Sequence, residues 1–340
     1  MSDKNEITST ENGPIRRSKK TILKNHCKRF WWLHLIIFLA VSAAVICIVI
    51  FVGVKNIAQS KINDADLQIQ GINIINTQPN KFLMQINATI TTDGTVKADI
   101  DPFIGNLTLR DVPNARPFVQ LQFPQTNANK FQTVNVSQEV TITDPEAFEQ
   151  FNRAFFQNET LRVNIHGNTK VQPAALSKKY DVDFFKVIEF KGLNKLNGTS
   201  LSDMKIKIGL AQDNIPNFNA TATITNPSYY TIDLGNATFN NYAAGRLLGN
   251  LTIQNLFLKP GKNVVPVSAI LDQTVIIGSA TKRPYCETKS IPIQLQGTSV
   301  KQGSQDIPWL LSALGSANQT VDLSLDDTFK AAGITFPGCS

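Results

Sequence analysis

Histidine is close to missing from this chain. It holds three, and His26 and His34 fall before or inside a long apolar stretch, so His166 alone could serve a catalytic site in the rest. A Ser-His-Asp or Cys-His arrangement needs an imidazole that takes and returns a proton. On the alternation Leu161, Val163, Ile165, His166 falls on the opposite, polar face beside an expected turn at Gly167, and it reads as a surface residue. Cysteine is scarce too, with Cys27, Cys47, Cys286 and Cys339 set at no spacing that a metal site uses. There is no Gly-x-Gly-x-x-Gly and no phosphate-binding loop. The acid pairs Asp99/Asp101, Asp181/Asp183 and Asp326/Asp327 lack the dense ligand spacing of a calcium loop and read as solvated strand faces and turns. No catalytic residue, metal ligand or cofactor is assigned, and the chain is expected not to be an enzyme. An unrecognised luminal hydrolase is kept as the second alternative.

Formal charge is absent from one stretch altogether, Phe30 to Val54. As a helix it would reach roughly 37 Å, enough to cross a hydrocarbon core of about 30 Å with some tilt. A cleaved signal peptide is the competing reading, with Ser42-Ala43-Ala44 as its cleavage site. Uncharged, mostly aliphatic residues continue from Val45 to Val54, however, and signal cores are usually about 7–15 residues long. An uncleaved anchor is expected.

The flanks give its direction, because Lys and Arg accumulate on the cytoplasmic side. Arg16, Arg17, Lys19, Lys20, Lys24, Lys28 and Arg29 precede the span as a membrane-surface basic block, and Trp31 and Trp32 stand at its edge. The net charge of +7 invites a nucleic-acid reading, but the tail accounts for most of it: the chain beyond residue 29 carries 25 bases against 23 acids. The N-terminus is expected inside, with the long remainder outside or in a lumen and no nucleic-acid partner.

Two further patterns agree. Acceptor sequons occur at Asn87, Asn106, Asn135, Asn158, Asn197, Asn219, Asn236, Asn250 and Asn318, all after the span. Cys286 and Cys339, alone beyond the span, most simply pair with each other in an oxidising lumen.

Beyond a stalk over 55–65, apolar and polar residues alternate as they do on half-buried strands, for example Val119-Gln120-Leu121-Gln122-Phe123 and Leu161-Arg162-Val163-Asn164-Ile165. Two helices interrupt this pattern. One has Asp144 as N-cap, Pro145 at the first turn and Phe148, Phe151 and Phe155 on one face; the other begins near Asp306. Each helix precedes a sequon and then an alternating strand, at an offset of 160, so Phe155 to Val163 matches Gly315 to Leu323. The fold class expected is mainly β: a transmembrane helix, then two tandem β sandwiches, each with a short flanking helix. The boundaries are a cytoplasmic disordered tail over 1–29, the span 30–54, the stalk 55–65, a first module 66–190 and a second module 191–340. The second module is expected to carry an insertion around Cys286.

In the second half, Ala222-Thr223-Ile224-Thr225-Asn226-Pro227, then Ile232-Asp233-Leu234, Leu251-Thr252-Ile253 and Leu258-Lys259-Pro260-Gly261-Lys262, resembles the late-embryogenesis-abundant type 2 domain, also called the water-stress and hypersensitive-response domain. In the first half Thr91-Thr92-Asp93-Gly94 stands where the Asn-Pro would be. The whole arrangement is similar to fungal single-pass membrane proteins grouped as a domain of unknown function. That resemblance implies seven-stranded sandwiches and a vacuolar or other endomembrane location, with the plasma membrane as alternative. It transfers no catalytic residue. The function expected is a non-catalytic type II glycoprotein presenting its luminal domains to a membrane-protein partner. The first alternative is a lipid- or sterol-binding module with a cavity inside a sandwich, for which Phe184, Phe185 and Phe190 supply apolar groups.

Overall fold

The structure is a computed structural model that describes residues 19–209 and 215–339, with residues 19–29 described as backbone only. Arg16 and Arg17 lie outside the described residues. The chain divides into two compact units, Met1–Ile57 and Ala58–Ser340.

The described part of the first unit is helical. Helix α1 (Lys19–Ile48) passes through a π-helical turn at Val49–Gly53 into α2 (Val54–Asp64). Two expectations change here. The backbone of the tail is already helical at Lys19, including Lys20, Lys24, Lys28 and Arg29, because extending an existing helix through Lys and Leu needs no new nucleus. The stalk is helical as well, and its end, Ala58 and Ile62, is buried in the second unit against Ala98, Val171 and Val182. Among the described residues one helix, Phe30–Asp64, is long and apolar enough to cross a membrane.

The second unit is mainly β. Its first half runs β1 (Asp66–Ile75), β2 (Lys81–Thr91), β3 (Ala98–Ile100), β4 (Phe103–Leu109), β5 (Val119–Phe123), β6 (Thr126–Asn127), β7 (Phe131–Thr141), α3 (Pro145–Gln157), β8 (Thr160–Pro173) and β9 (Tyr180–Lys191). The second half runs β10 (Ser200–Ile206), β11 (Phe218–Asn226), β12 (Tyr230–Ala243), β13 (Arg246–Leu258), β14 (Gly261–Leu271), α4 (Gln273–Ala280), α5 (Tyr285–Thr288), β15 (Ser290–Gln302), β16 (Gln305–Asp306), α6 (Pro308–Gly315), β17 (Gln319–Ser324) and α7 (Leu325–Ala331). The pairings match β7-α3-β8-β9 to β14-α4-β15-β17, with Asp144 and Asp272 capping the two equivalent helices, so the halves repeat at about 130 residues and not at the expected 160, and among the described residues α6 has no counterpart in the first half.

Two sheets result. An 11-stranded sheet follows the order β10-β11-β14-β13-β12-β1-β2-β7, with β15 also on β12 and β16 and β17 on β15. A six-stranded sheet follows β5-β4-β8-β3-β6, with β9 on β8. The large sheet contains strands of both halves because β1 lies parallel to β12, Ile72 opposite Tyr230 through Ile74 opposite Ile232. One apolar core likewise runs through both halves.

Alternation places the apolar residues of each strand inward. On β8 Leu161, Val163 and Ile165 are buried while Arg162 and His166 are exposed. Gly167 is not a turn; it sits inside β8, where a Cβ would meet the Ile104 carbonyl oxygen at 2.4 Å, so only glycine allows β4 to pass so close. Helix α3 starts as its sequence dictates, Asp144 Oδ1 accepting from Ala147 N at 3.0 Å with Pro145 in the first turn. Phe148, Phe151 and Phe155 are buried, and each contributes about 1.5–3 kcal/mol by leaving water. Helix α6 starts one residue later than Asp306, at an uncapped Ile307, because Asp306 is used in β16.

Helices α3 and α6 pack on each other. Arg153 Nε donates to Ser312 Oγ at 2.6 Å and Gln157 Nε2 to the Ser316 carbonyl at 3.1 Å. Phe82, Phe148 and Trp309 complete this junction with ring centroids 5.2–5.6 Å apart.

Candidate functional site

An apolar groove forms where three elements of the second half end. Past β10 the chain carries Ile208, and Gln273 at the start of α4 holds that extension: its Nε2 donates to the Lys207 carbonyl at 2.6 Å and its Oε1 accepts from Gly209 N at 3.3 Å. Asp272 caps α4 by accepting from Thr274 N at 3.0 Å. The helix reads Gln-Thr-Val-Ile-Ile-Gly-Ser-Ala, apolar nearly all round, so Val275 and Ile276 face the core while Ile277 is left outside.

The third wall is α7 and its exit. Ser324 caps the helix start, accepting from Asp327 N at 3.2 Å. At the other end Ile334 N donates to the Phe329 carbonyl at 2.9 Å and Gly333 N to the Lys330 carbonyl at 3.0 Å. This is a Schellman pair, and it needs the positive φ of +71° that Gly333 adopts. It folds Ile334 back onto Phe329, whose ring also meets Phe336 edge-on at 5.5 Å. A disulfide between Cys339 and Cys286 on α5 ties the segment down. In the chain-entropy picture, closing a loop of this length stabilises by about 4 kcal/mol.

Phe218 and Leu271 form the groove floor beside buried Asn217, which exchanges two hydrogen bonds of 2.8 Å with the Leu271 backbone. On the rim Ile208, Ile277 and Ile334 are 59, 50 and 44% exposed. The space beneath is shallow, about 50 Å³. Lys205, Lys207 and Lys330 flank the lining residues, exposed and without an ion-pair partner among the described residues. No sequon asparagine lines this groove.

The sandwich interiors are filled. A cavity of about 50 Å³ lies in each, one among Phe239, Leu251 and Leu323, the other among Ile72, Phe148 and Phe190, against the 300 Å³ or so at which small-molecule sites begin. Phe190 packs on Phe151, Phe155 and Tyr230, and Phe184 on Phe103 and Phe123, while Phe185 is exposed. Burial pushes the hydroxyl pKa of Tyr229 and Tyr230 above the usual tyrosine value.

His166 lies on an exposed strand face, its Nε2 2.8 Å from Asp183 Oδ1. One acid of each pair singled out is matched by a surface lysine, Asp101 with Lys179 at 2.7 Å, Asp181 with Lys170 at 3.9 Å and Asp326 with Lys289 at 3.0 Å. Of the sequon asparagines, Asn87, Asn135, Asn158, Asn197, Asn219, Asn250 and Asn318 are exposed and Asn106 and Asn236 half-buried. Asn87 and Asn135 stand directly opposite each other across β2 and β7.

Sequence reasoning missed the groove. Two signals were present: the apolar run Val275-Ile276-Ile277 in a helix too short to bury all of it, and Gly333-Ile334 after a helical pattern.

Among solved structures, a Northeast Structural Genomics Consortium target, SoR45, is 12% identical over 37% of this chain and 85% of its own, with a TM-score of 0.22. A protein from Archaeoglobus fulgidus is 7% identical over 37% of this chain and 94% of its own, at 0.23. Red sea bream transglutaminase is 12% identical over 76% of this chain and 31% of its own, at 0.25. Likenesses at this level carry no argument about fold or activity. No curated protein matches the chain. Residues 116–241, from the end of the β4–β5 connection through most of β12, match the sequence model of a family described as a protein of unknown function (DUF3712).

Proposed function

We propose that this chain is a non-catalytic, single-pass type II membrane glycoprotein whose luminal β domains bind a partner protein through the groove between Ile208, Ile277 and Ile334. The observation that carries this reading is the convergence of Ile208, Ile277 and Ile334, from three separate elements, around one apolar floor, with each of them 44–59% exposed and no sequon asparagine in the lining. With three lysines at its margin that have no ion-pair partner among the described residues, it suits an apolar segment flanked by acids.

The N-terminal charge block supports a cytoplasmic N-terminus. The resemblance to type 2 late-embryogenesis-abundant domains and to fungal membrane proteins supports a vacuolar or other endomembrane location. A lipid or sterol carrier would need a far larger cavity than either core holds. A hydrolase that works through histidine would need it in a cleft, and His166 is on an open strand face.

Ile277→Arg and Ile334→Arg alter half-exposed side chains, so each costs about 1 kcal/mol of stability. On native gels of detergent-solubilised membranes, the unaltered chain is expected in a complex larger than the glycosylated monomer, and both variants at the monomer position. Co-migration of all three would refute the reading.

A further inference from the structure

A second groove, of about 440 Å³, lies on the open side of the first sandwich between β7 and the β4–β5 pair. Among the described residues β7 is the terminal strand of the large sheet and pairs only with β2, so this side is an open edge. Two of the residues lining the groove are Asn135 and Ser137, the acceptor and the hydroxyl residue of one sequon. No other sequon asparagine lines this groove, the two core cavities or the isoleucine groove.

Two features give the groove a definite occupant. First, Asn87 faces Asn135 across the ladder, and directly opposed residues have Cα atoms only about 4.5–5.5 Å apart. A sugar on Asn135 therefore meets a second acceptor on the inboard side, whereas the outboard side, over the edge, is open to it. Second, the surface it would meet there suits an N-acetylglucosamine ring. Phe103 and Phe123 are stacked at 5.0 Å, and Ile104 is 53% exposed, offering apolar surface to the carbon-bound hydrogens of the ring. Gln138 accepts from Gln122 N at 3.1 Å through Oε1, while its Nε2 is covered and has no partner. A small turn of that side chain would present the donor to an acetamido carbonyl, and an unmet buried donor is costly.

We propose that this groove seats the innermost N-acetylglucosamine units of a glycan carried on Asn135, which thereby closes the side of the sandwich and covers the β7 edge. The proposal rests on the reading of the chain as a luminal glycoprotein.

The test uses the full-length chain made in a eukaryotic secretory host, purified in detergent and treated with an endoglycosidase before and after denaturation. Release is followed site by site by glycopeptide mass spectrometry. Asn135 is expected to be occupied, and its glycan to be released from the native protein about tenfold or more slowly than those at Asn219 and Asn250, because it must first leave its seat. After denaturation the rates should be equal. Ser137→Ala, which removes the acceptor sequence alone, should lower the melting temperature; Ser137→Thr, which keeps it, should not; and Thr252→Ala at the Asn250 sequon should not. Equal native rates at the three sites, or an unoccupied Asn135 on a chain glycosylated elsewhere, would overturn the seat and leave the topology standing. A chain with no glycan at any sequon would overturn both.

Discussion

Asn226 shows how much one buried amide can organise. Its Nδ2 donates to the Tyr230 carbonyl at 2.7 Å, and its Oδ1 accepts from Ser228 N at 3.0 Å and Ser228 Oγ at 2.7 Å, closing the β11–β12 turn. Asn226→Ala would strand buried groups on both sides and is expected to cost about 2–4 kcal/mol, read as a shift in the denaturant midpoint. In the first half Asp93 does the corresponding work, its Oδ1 accepting from Thr95 N at 3.0 Å and Thr95 Oγ1 at 2.8 Å. The sequence marks Asn-Pro as a strand end and Asp-Gly as a turn. It does not reveal that the two side-chain oxygens bond alike, since that depends on where the chain goes next.

Asp93 also gives a signed pH dependence. The hydrogen bond from Lys61, with those from Thr95, lowers its pKa to about 2, below the usual aspartate range. A carboxylate depressed on folding stabilises above its unfolded pKa and loses that contribution as pH falls through the folded one. The melting-temperature difference between the unaltered chain and Lys61→Met should therefore be full above about pH 4 and vanish toward pH 2. A difference constant across that range would contradict the assignment.

At the scale of elements, α2 is where expectation and structure part. The stretch reads as a polar stalk, because a helix with so few apolar residues gives little periodic signal of its own; Ala58 and Ile62 are legible as a buried face only once Ala98, Val171 and Val182 are placed opposite them. The helix end also guards a sheet edge. Gln59 Nε2 donates to the Asp183 carbonyl at 2.7 Å and Gln59 Oε1 accepts from Asp183 N at 2.8 Å, so one side chain mimics a neighbouring strand along β9. Lys186 adds hydrogen bonds to the carbonyls of Asn63 and Ala65 at the helix terminus, where cations are favoured, although burial lowers its pKa from the usual lysine value. Gln59→Ala should speed amide exchange at Asp183 by about tenfold or more while leaving the β8–β9 ladder protected. Unchanged exchange at Asp183 would show that the side chain does not protect the edge.

For the whole molecule, the mainly β class, the helix capped by Asp144 and the apolar N-terminal helix were legible because alternation, cap chemistry and an uncharged run are local signals. The sharing of one sheet and one core by the two halves was not. It depends on three residue pairs between β1 and β12 and on Phe82, Phe148 and Trp309 meeting at the crossing of α3 and α6, contacts between residues far apart in sequence. The isoleucine groove was hidden for the same reason: Ile208, Ile277 and Ile334 belong to three elements that converge only in the folded chain.

The proposed role of that convergence can be tested in place. A photo-reactive residue would be introduced at Ile277 in the full-length chain within its own membrane, with Val264, a more exposed apolar residue on the outer face of β14, as the control. A discrete protein adduct from position 277 that is missing from position 264 is the result expected. No adduct at 277, or the same adducts from both positions, would contradict a partner seated in the groove.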